Sequence, residues 1–218
     1  IDGVMRRSGD VFPLPQTQWT KLYLDAKASA LTEASTAEGN ASYAAMGEGL
    51  SFTTAPFAAA TEYSGYVALR LNVASSTTDL DLFATLRLID PSGKEMFFTG
   101  AHEPVQVARG WLRASHRRVD PTRSKPYLPI RPHDEIQKLE PGEIYPLDIE
   151  IWPTSIVVPA GYRLMLTITG RDLEVPGIPG RLLHNDPADR GTQEFNGIGT
   201  LHTGGVRECY LLMPRIPS

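Results

Sequence analysis

The stretch that decides the fold is Leu80–Gly93, with the sequence LDLFATLRLIDPSG. Leucine or alanine stands at every second position from 80 to 88, and most of the positions between them are polar. A period of two places the aliphatic side chains on one face of a β-strand. Asp90-Pro91-Ser92-Gly93 then predicts a turn, because proline presets φ at its second position and glycine suits its fourth. We therefore expect residues 95–99 to return as an antiparallel strand.

The same alternation recurs outward from this stretch, and several further segments read as strands. They cover residues 19–24, 66–73, 147–151, 164–169 and 206–213. The last of them is so apolar that we expect it to be buried on both faces. Residues 26–46 are rich in small side chains and are expected to form a long loop with at most one helical turn.

The pattern predicts an all-β protein of about eight to ten short strands. The sequence has no amphipathic stretch of three helical turns, which argues against a βαβ architecture, and its 19 glycines and 18 prolines favour turns. The predicted fold is an antiparallel β-sandwich, a jelly roll of the galactose-binding-like type, with long irregular loops at 114–141 and 170–200. We expect a single domain over residues 1–218, in which an extended segment, 1–18, leads into a jelly roll, 19–217.

Composition excludes several classes of protein. With 21 basic and 25 acidic residues, the formal charge of −4 gives no electrostatic basis for binding nucleic acid or an anionic membrane. A single cysteine excludes an internal disulfide and multi-cysteine zinc motifs. The glycine pairs near 197–199 and 204–205 have no helix after them, so no phosphate loop and no cofactor are expected. The chain starts at Ile1 without a Met or a secretory pattern, which predicts a fragment and leaves localisation open.

No catalytic residue is predicted. The sequence lacks the G-x-S-x-G pattern of a serine nucleophile between a strand and a helix. The nearest approach is GWLRASHR, residues 110–117, in which Ser115 stands beside His116. Neighbours in an extended segment point to opposite faces, so a Ser–His hydrogen bond between them is geometrically poor. A structural or contact role is the better interpretation of both residues.

No metal site is predicted either. His184, Asp186 and Asp189 form the best cluster of ligand types, but Asn185-Asp186-Pro187 reads as a turn whose polar side chains bond their own backbone. Asp79 and Asp81 have the spacing of half a calcium site. A solvated strand face, or pairing with nearby arginines, is the more frequent reason for two such carboxylates, and we prefer it here.

A basic cluster follows the GWLR stretch. Its members are Arg113, Arg117, Arg118, Arg123 and Lys125, with Asp120 among them. Aromatic residues do not interleave with them as base stacking requires. Arginine is enriched at protein interfaces because its planar fork binds carboxylates bidentately, so the cluster indicates a docking surface.

Several motifs, in this order and spacing, resemble a known domain. They are LSFTTAP (50–56), DLDLF (79–83), DPSG (90–93), GWLRASHR (110–117), LEPGE (139–143), PAGYRL (159–164), HTGG (202–205) and YLLMP (210–214). From about residue 19 to 217 the chain resembles the C-terminal jelly-roll domain of the X-prolyl dipeptidyl-peptidase and cocaine-esterase (CocE/NonD) family of serine hydrolases. Members of that family carry an α/β-hydrolase domain with a Ser-Asp-His triad, a helical cap and this sandwich.

The resemblance implies a non-catalytic domain that packs on the catalytic domain and helps to shape the substrate site. The triad would then lie upstream of Ile1, so this chain would be inactive alone, while the intact protein would hydrolyse peptide, amide or ester bonds. The α/β-hydrolase catalytic domain of the same parent protein is the expected partner, and a second copy of the chain is a further candidate. The implied domain-interface residues are Arg113, Ser115, His116, Arg117, His184 and Asn185. At Tyr162 many relatives have His, so no role is transferred there.

A free-standing jelly-roll module that binds carbohydrate or another ligand is the alternative. Such sites need exposed aromatic rings beside polar groups, and Trp111, Trp152 and Tyr162 are the candidates.

Overall fold

The computed structural model of the chain describes residues 9–100, 103–173 and 193–217. These residues form strands and two short 3₁₀ helices, Ala114–His116 and Gln193–Phe195, so the predicted all-β class is confirmed. The strands are β1 (Gln18–Asp25), β2 (Ala30–Thr32), β3 (Gly39–Ala44), β4 (Leu50–Thr54), β5 (Thr61–Ser75), β6 (Asp81–Ile89), β7 (Glu95–Met96), β8 (Phe98–Gly100), β9 (Glu103–Val105), β10 (Ala108–Arg113), β11 (Tyr145–Val158), β12 (Arg163–Thr169), β13 (Ile198–Thr203) and β14 (Tyr210–Ile216).

The main sheet closes on itself in a barrel-like arrangement. Its neighbours run in the order β11-β10-β6-β12-β4-β2-β1-β14-β5, and β5 pairs back onto β11. The pairs in this ring are antiparallel except for β2 and β4, which run parallel. β13 and β3 extend the sheet from the end of β5, β7 pairs with β6, and β8 and β9 form a separate ribbon.

The stretch Leu80–Gly93 contains β6, in which every residue except Arg87 is buried. Along β6 the aliphatic side chains from Leu80 to Leu88 are at most 1% exposed, as their alternation predicts. The opposite face is buried as well, with Phe83 and Thr85 at 5% and 2% exposure. This strand lies between β10 and β12, and its aliphatic face joins the core formed by the inward residues of β5, β11, β12 and β14.

The turn after β6 forms as predicted, but the return strand is short. The Gly93 amide donates to the Asp90 carbonyl (3.0 Å), and Gly93 takes a φ of +88°, which a glycine adopts without strain. Hydrogen bonds from the Ser92 hydroxyl and then from the Lys94 amide lower the pKa of Asp90. The returning chain pairs with β6 only over Glu95–Met96, and Phe98–Gly100 turns away to pair with β9.

Two strand predictions are wrong in detail. The expected loop at 26–46 contains β2 and β3, because Ala30–Thr32 pairs with β1 and Gly39–Ala44 pairs with β13. The last strand starts at Tyr210 and not at Val206, whose side chain is 91% exposed on the turn closed by the Arg207 amide and the Gly204 carbonyl (2.9 Å).

The long loops are observed only in part. Residues 117–144 contain no strand beyond an isolated bridge between Lys125 and Leu128, as predicted for this region. Most of the second expected loop, residues 174–192, lies outside the described residues, and its predicted end overlaps β13. Among the helices of the described part of the chain, none has the length and apolarity needed to cross a membrane.

Candidate domain-interface site

The segment Arg113–Arg117 comprises the last residue of β10, the 3₁₀ helix Ala114–His116 and the residue after it, and a fully buried carboxylate holds this turn. Asp79 accepts hydrogen bonds from the backbone amides of Leu80 (2.9 Å) and Ser115 (3.0 Å) and from the Lys138 ammonium (3.2 Å). The Ala114 amide donates to the Leu80 carbonyl (2.8 Å). Ser115 is therefore 1% exposed, and its position is fixed from the adjacent strand.

Arg113 lies across the ends of β6 and β10. Its Nε and Nη2 donate to the two oxygens of Asp81 at 2.8 and 3.0 Å, and Asp81 is almost fully buried. The guanidinium also stacks over the Phe195 ring, 4.4 Å from its centroid. A bidentate pair of this kind fixes both side chains, so Arg113 acts as a brace for the turn.

Arg117 and Lys138 tie the long loop to this turn. Arg117 Nη1 donates to the carbonyls of Gln137 and Ala114, and the guanidinium lies 4.5 Å from the centroid of the Tyr145 ring. Lys138 also bonds Glu194 (2.7 Å), which raises the pKa of the ammonium and lowers that of the Glu194 carboxyl. Loop residues 137–138 are thereby bonded to the turn, to Asp79 just before β6 and to the second 3₁₀ helix.

Two histidines face each other beside this turn. His116 is half-buried and His133 is exposed, and their Nδ1 atoms are 3.3 Å apart with ring centroids at 5.4 Å. His133 has a φ of +53°, in the left-handed region that few residues other than glycine occupy.

A cavity of about 630 Å³ opens between β6, β10, β11 and the loop at 129–133. We call it the tryptophan cavity; its lining includes Trp111, His116, Arg131, His133, Glu150 and Trp152. Trp111 and Trp152 meet edge to face with centroids 5.3 Å apart, and Trp152 is 60% exposed. β10 and β11 approach closely here because Gly110 lies opposite Ile151. A Cβ atom at Gly110 would lie 2.0 Å from the Glu150 carbonyl oxygen.

Arg131 closes one wall of the tryptophan cavity. Its Nη2 donates to the Asp148 carbonyl, while the Asp148 carboxylate binds Arg70 at 2.6 Å. Burial lowers the pKa of Arg131, and the carboxylates of Asp148 and Glu150 oppose that shift. At this wall of the cavity, the positive charge of Arg131 therefore lies close to the carboxylates of Asp148 and Glu150.

The structure brings together four of the six interface residues expected from the sequence. Arg113, Ser115, His116 and Arg117 occupy one turn, whereas His184 and Asn185 lie outside the described residues. Their role as interface residues stays a prediction. In the basic cluster, Arg113 and Arg118 pair with acids of the same domain, the latter with Asp134 and Glu135.

Of the two metal-site candidates, the structure describes only one. His184, Asp186 and Asp189 lie outside the described residues. Asp79 and Asp81 use their oxygens on the backbone amides, Lys138 and Arg113 described above. Across the residues that the structure describes, no group of three or more His, Cys, Asp or Glu side chains could hold a metal ion.

Of the three aromatic candidates, Trp111 and Trp152 come together and Tyr162 does not join them. Tyr162 precedes β12, where its carbonyl accepts a hydrogen bond from the Phe57 amide (2.9 Å). Sequence reasoning missed Arg131, His133 and Glu150 as parts of the same site. The alternation along β11 carried a signal for Glu150, because residues two apart on a strand share a face and Trp152 was already a candidate.

The sequence profile of the X-Pro dipeptidyl-peptidase C-terminal non-catalytic domain matches residues 1–212. The chain belongs to this family. The structure resembles that of a CocE/NonD family hydrolase from Staphylococcus aureus, with a TM-score of 0.86 and 31% identity over 96% of this chain and 39% of that one. This confirms the resemblance predicted from the sequence motifs.

Two further relatives show how much of a longer protein this chain matches. A Mycobacterium bovis protein named as a putative serine esterase is 31% identical over 128 residues, which is 56% of this chain and 19% of that protein. An aminopeptidase from a marine sediment archaeon, Thaumarchaeota archaeon, shares the fold with a TM-score of 0.68 at 13% identity, over 95% of this chain and 38% of that one. The X-Pro dipeptidyl-peptidase C-terminal domain described here thus spans less than half of these relatives.

Proposed function

We propose that this non-catalytic domain packs on an α/β-hydrolase catalytic domain of the same parent protein and helps to shape its substrate site. The intact protein would hydrolyse peptide, amide or ester bonds. The observation that carries the proposal is the tryptophan pair, because Trp152 is 60% exposed against Trp111 at the tryptophan cavity. Large aromatic side chains of this kind dominate the energy of protein interfaces.

The rigidity of the neighbouring turn supports the same proposal. Asp81 holds Arg113 bidentately, and Asp79 holds the Ser115 amide, so the turn is ordered before any partner binds. A preorganised surface loses less conformational entropy on association. In this proposal Arg113, Ser115 and Arg117 set the shape of the interface, while the half-buried His116 and the exposed Trp152 contact the catalytic domain.

The comparisons support the choice of partner. The Staphylococcus aureus hydrolase contains a region like this chain as 39% of its length, so a larger part of that protein lies outside the matched region. The remaining expected interface residues, His184 and Asn185, belong to the same proposal.

We also infer a finer architecture, a two-layered jelly-roll sandwich of the galactose-binding-like type. Neighbours such as β4 and β12, or β5 and β14, are antiparallel and far apart in sequence, as jelly-roll connections require.

The test of the packing proposal uses the full-length parent hydrolase. Trp152→Glu places a charge in the proposed interface, and Val206→Glu is the matched control at a side chain that is 91% exposed on the turn between β13 and β14. We expect Trp152→Glu to lower kcat/KM for an ester substrate at least tenfold and to speed proteolysis between the domains, with the control unchanged. Equal behaviour of the two variants in both assays would contradict the proposal.

A carbohydrate-binding module is the second candidate, and the pairing of Trp111 with Trp152 beside Glu150 is the observation that favours it. A glycan array probed with the 218-residue chain tests it directly. A sugar that shifts tryptophan emission in the wild-type chain but not in Trp152→Ala would support this function, and an array without binders would count against it.

A further inference from the structure

Beyond domain packing, the structure assigns a metal-binding role to the histidine pair. We infer that His116 and His133 bind one divalent transition-metal ion of the zinc, nickel or copper class through their Nδ1 atoms, at the edge of the tryptophan cavity. The neutral imidazole is the side chain that these ions prefer among nitrogen ligands. Both rings line the cavity, and neither ring takes part in the hydrogen bonds of Asp79 or in the ion pair of Arg113.

The separation of the two nitrogens carries the inference. Two imidazole nitrogens bound to one tetrahedral ion at about 2.0–2.1 Å stand roughly 3.3–3.4 Å apart. The Nδ1 atoms of His116 and His133 are 3.3 Å apart, which matches this spacing and also allows a hydrogen bond between the rings when one of them carries a proton on Nδ1. The rings thus already face each other at the spacing that a shared ion requires.

The backbone around the pair is fixed by contacts between the two segments that carry it. The Gln137 amide donates to the Ser115 carbonyl (2.8 Å), and Arg117 donates to the Gln137 carbonyl. These bonds join the residues flanking His116 to the loop four residues after His133. A pair held in this way gains affinity because less freedom is lost when the ion binds.

The protein would supply only some of the ligands of the bound ion. Since the described residues supply no third ligand of the usual types, water or an incoming donor would complete the coordination sphere. The adjoining cavity of about 630 Å³ has room for such a ligand. The ionised side chains that line the cavity are two acids and two arginines, with Asp81 bonded to Arg113 and Glu150 near Arg131. Their net charge is therefore zero and does not repel a cation.

Titration of the tag-free 218-residue chain with Zn²⁺ by calorimetry, and with Co²⁺ by visible absorption, tests the inference. We expect one ion per chain. His116→Gln and His133→Asn should each weaken binding at least tenfold. Asn tolerates the left-handed backbone at 133, and thermal melts verify that both variants are folded.

The matched control is His202→Gln, which removes another half-buried histidine that lines a different cavity. It should change the affinity for Zn²⁺ less than twofold. Absence of saturable binding, or binding that both variants of the pair leave intact, would overturn the inference. Equal loss in the His202 variant would also overturn it, because the ion would then depend on histidine content and not on the pair.

Discussion

At the scale of single residues, Asp79 is the carboxylate on which the candidate interface depends. It is completely buried and accepts the amides of Leu80 and Ser115 together with the Lys138 ammonium. Asp79→Ala would leave two buried N–H groups without an acceptor, and we expect it to lower the free energy of unfolding by about 3 kcal/mol in urea denaturation.

The control for Asp79 is Asp134→Ala, which removes an exposed carboxylate paired with Arg118. Exposed ion pairs contribute at most about 1 kcal/mol, so this variant should denature near the wild-type midpoint. If both alanine variants had the same unfolding free energy, Asp79 could not be the anchor of the turn.

Cys209 gives a residue-scale prediction with a definite pH window. Its thiol is buried, accepts the Asn72 amide and donates to the His202 carbonyl, and burial raises its pKa from about 9 to about 11. The folded state therefore keeps a proton that the unfolded state releases, and stability falls as pH rises from 9 to 11. In that window the wild type should lose up to about 1.4 kcal/mol per pH unit more than Cys209→Ser. Equal slopes in urea denaturation at each pH would contradict this.

Single residues also show where sequence reasoning stops. Arg113, Ser115 and their carboxylate partners were all recognised as candidates from their types and spacing. Pairing with nearby arginines was one expectation for the two carboxylates, and Asp81 does pair with Arg113. The exact pairs were not predictable, because Asp81 and Asp79 stand 32 and 36 positions away from Arg113 and Ser115. Alternation along a strand gives the face of each residue, but only the β6–β10 register shows which of them meet.

At the scale of elements, the crossing of β10 and β11 depends on Gly110. A Cβ there would lie 2.0 Å from the Glu150 carbonyl oxygen and 2.8 Å from the Ile151 Cα, both of them backbone atoms that cannot turn aside. Gly110→Ala should therefore separate the strands, lower the unfolding free energy by roughly 3 kcal/mol or more, and weaken the Trp111–Trp152 contact seen in near-ultraviolet circular dichroism.

Gly93→Ala is the matched control for this crossing. A Cβ at Gly93 meets nothing within 4 Å, so the variant experiences only the strain of a φ of +88°. We expect a loss of about 1–2 kcal/mol with the tryptophan signal unchanged. Loss of the signal in both variants would place its origin outside the crossing.

Elements were predictable wherever large aliphatic residues alternate. β6 and β12 show that pattern and form within one residue of the expected bounds, whereas β11 extends well beyond the expected residues 147–151, from Tyr145 to Val158. β3 has only Tyr43 as a large side chain, and it is a strand because six of its residues pair with β13. The residues of β3 alone do not indicate that they pair with β13, which lies more than 150 positions further along the chain.

At the scale of the whole molecule, closure of the sheet was not accessible from the sequence. Val67 pairs with Ile151 and Thr61 with Val158, and these contacts join the two ends of the strand order. The period-two pattern of each strand is satisfied equally well in an open or a closed sheet. The family resemblance, in contrast, was accessible, because it rests on short motifs in a fixed order that survive where long-range pairing leaves no local trace.

The last prediction concerns the chain as a whole and follows from its membership of a family of non-catalytic domains. Ser115 stands beside His116 in sequence, yet its side chain is 1% exposed and its amide is bound to Asp79, so an electrophile cannot reach its hydroxyl in the folded state. A serine-directed fluorophosphonate should leave the mass of the 218-residue chain unchanged. If the proposed function is right, the full-length parent protein, treated in parallel, should gain one adduct at a serine outside this chain. A stoichiometric adduct on the chain that disappears in Ser115→Ala would assign catalysis to this domain and overturn its placement as an accessory to another.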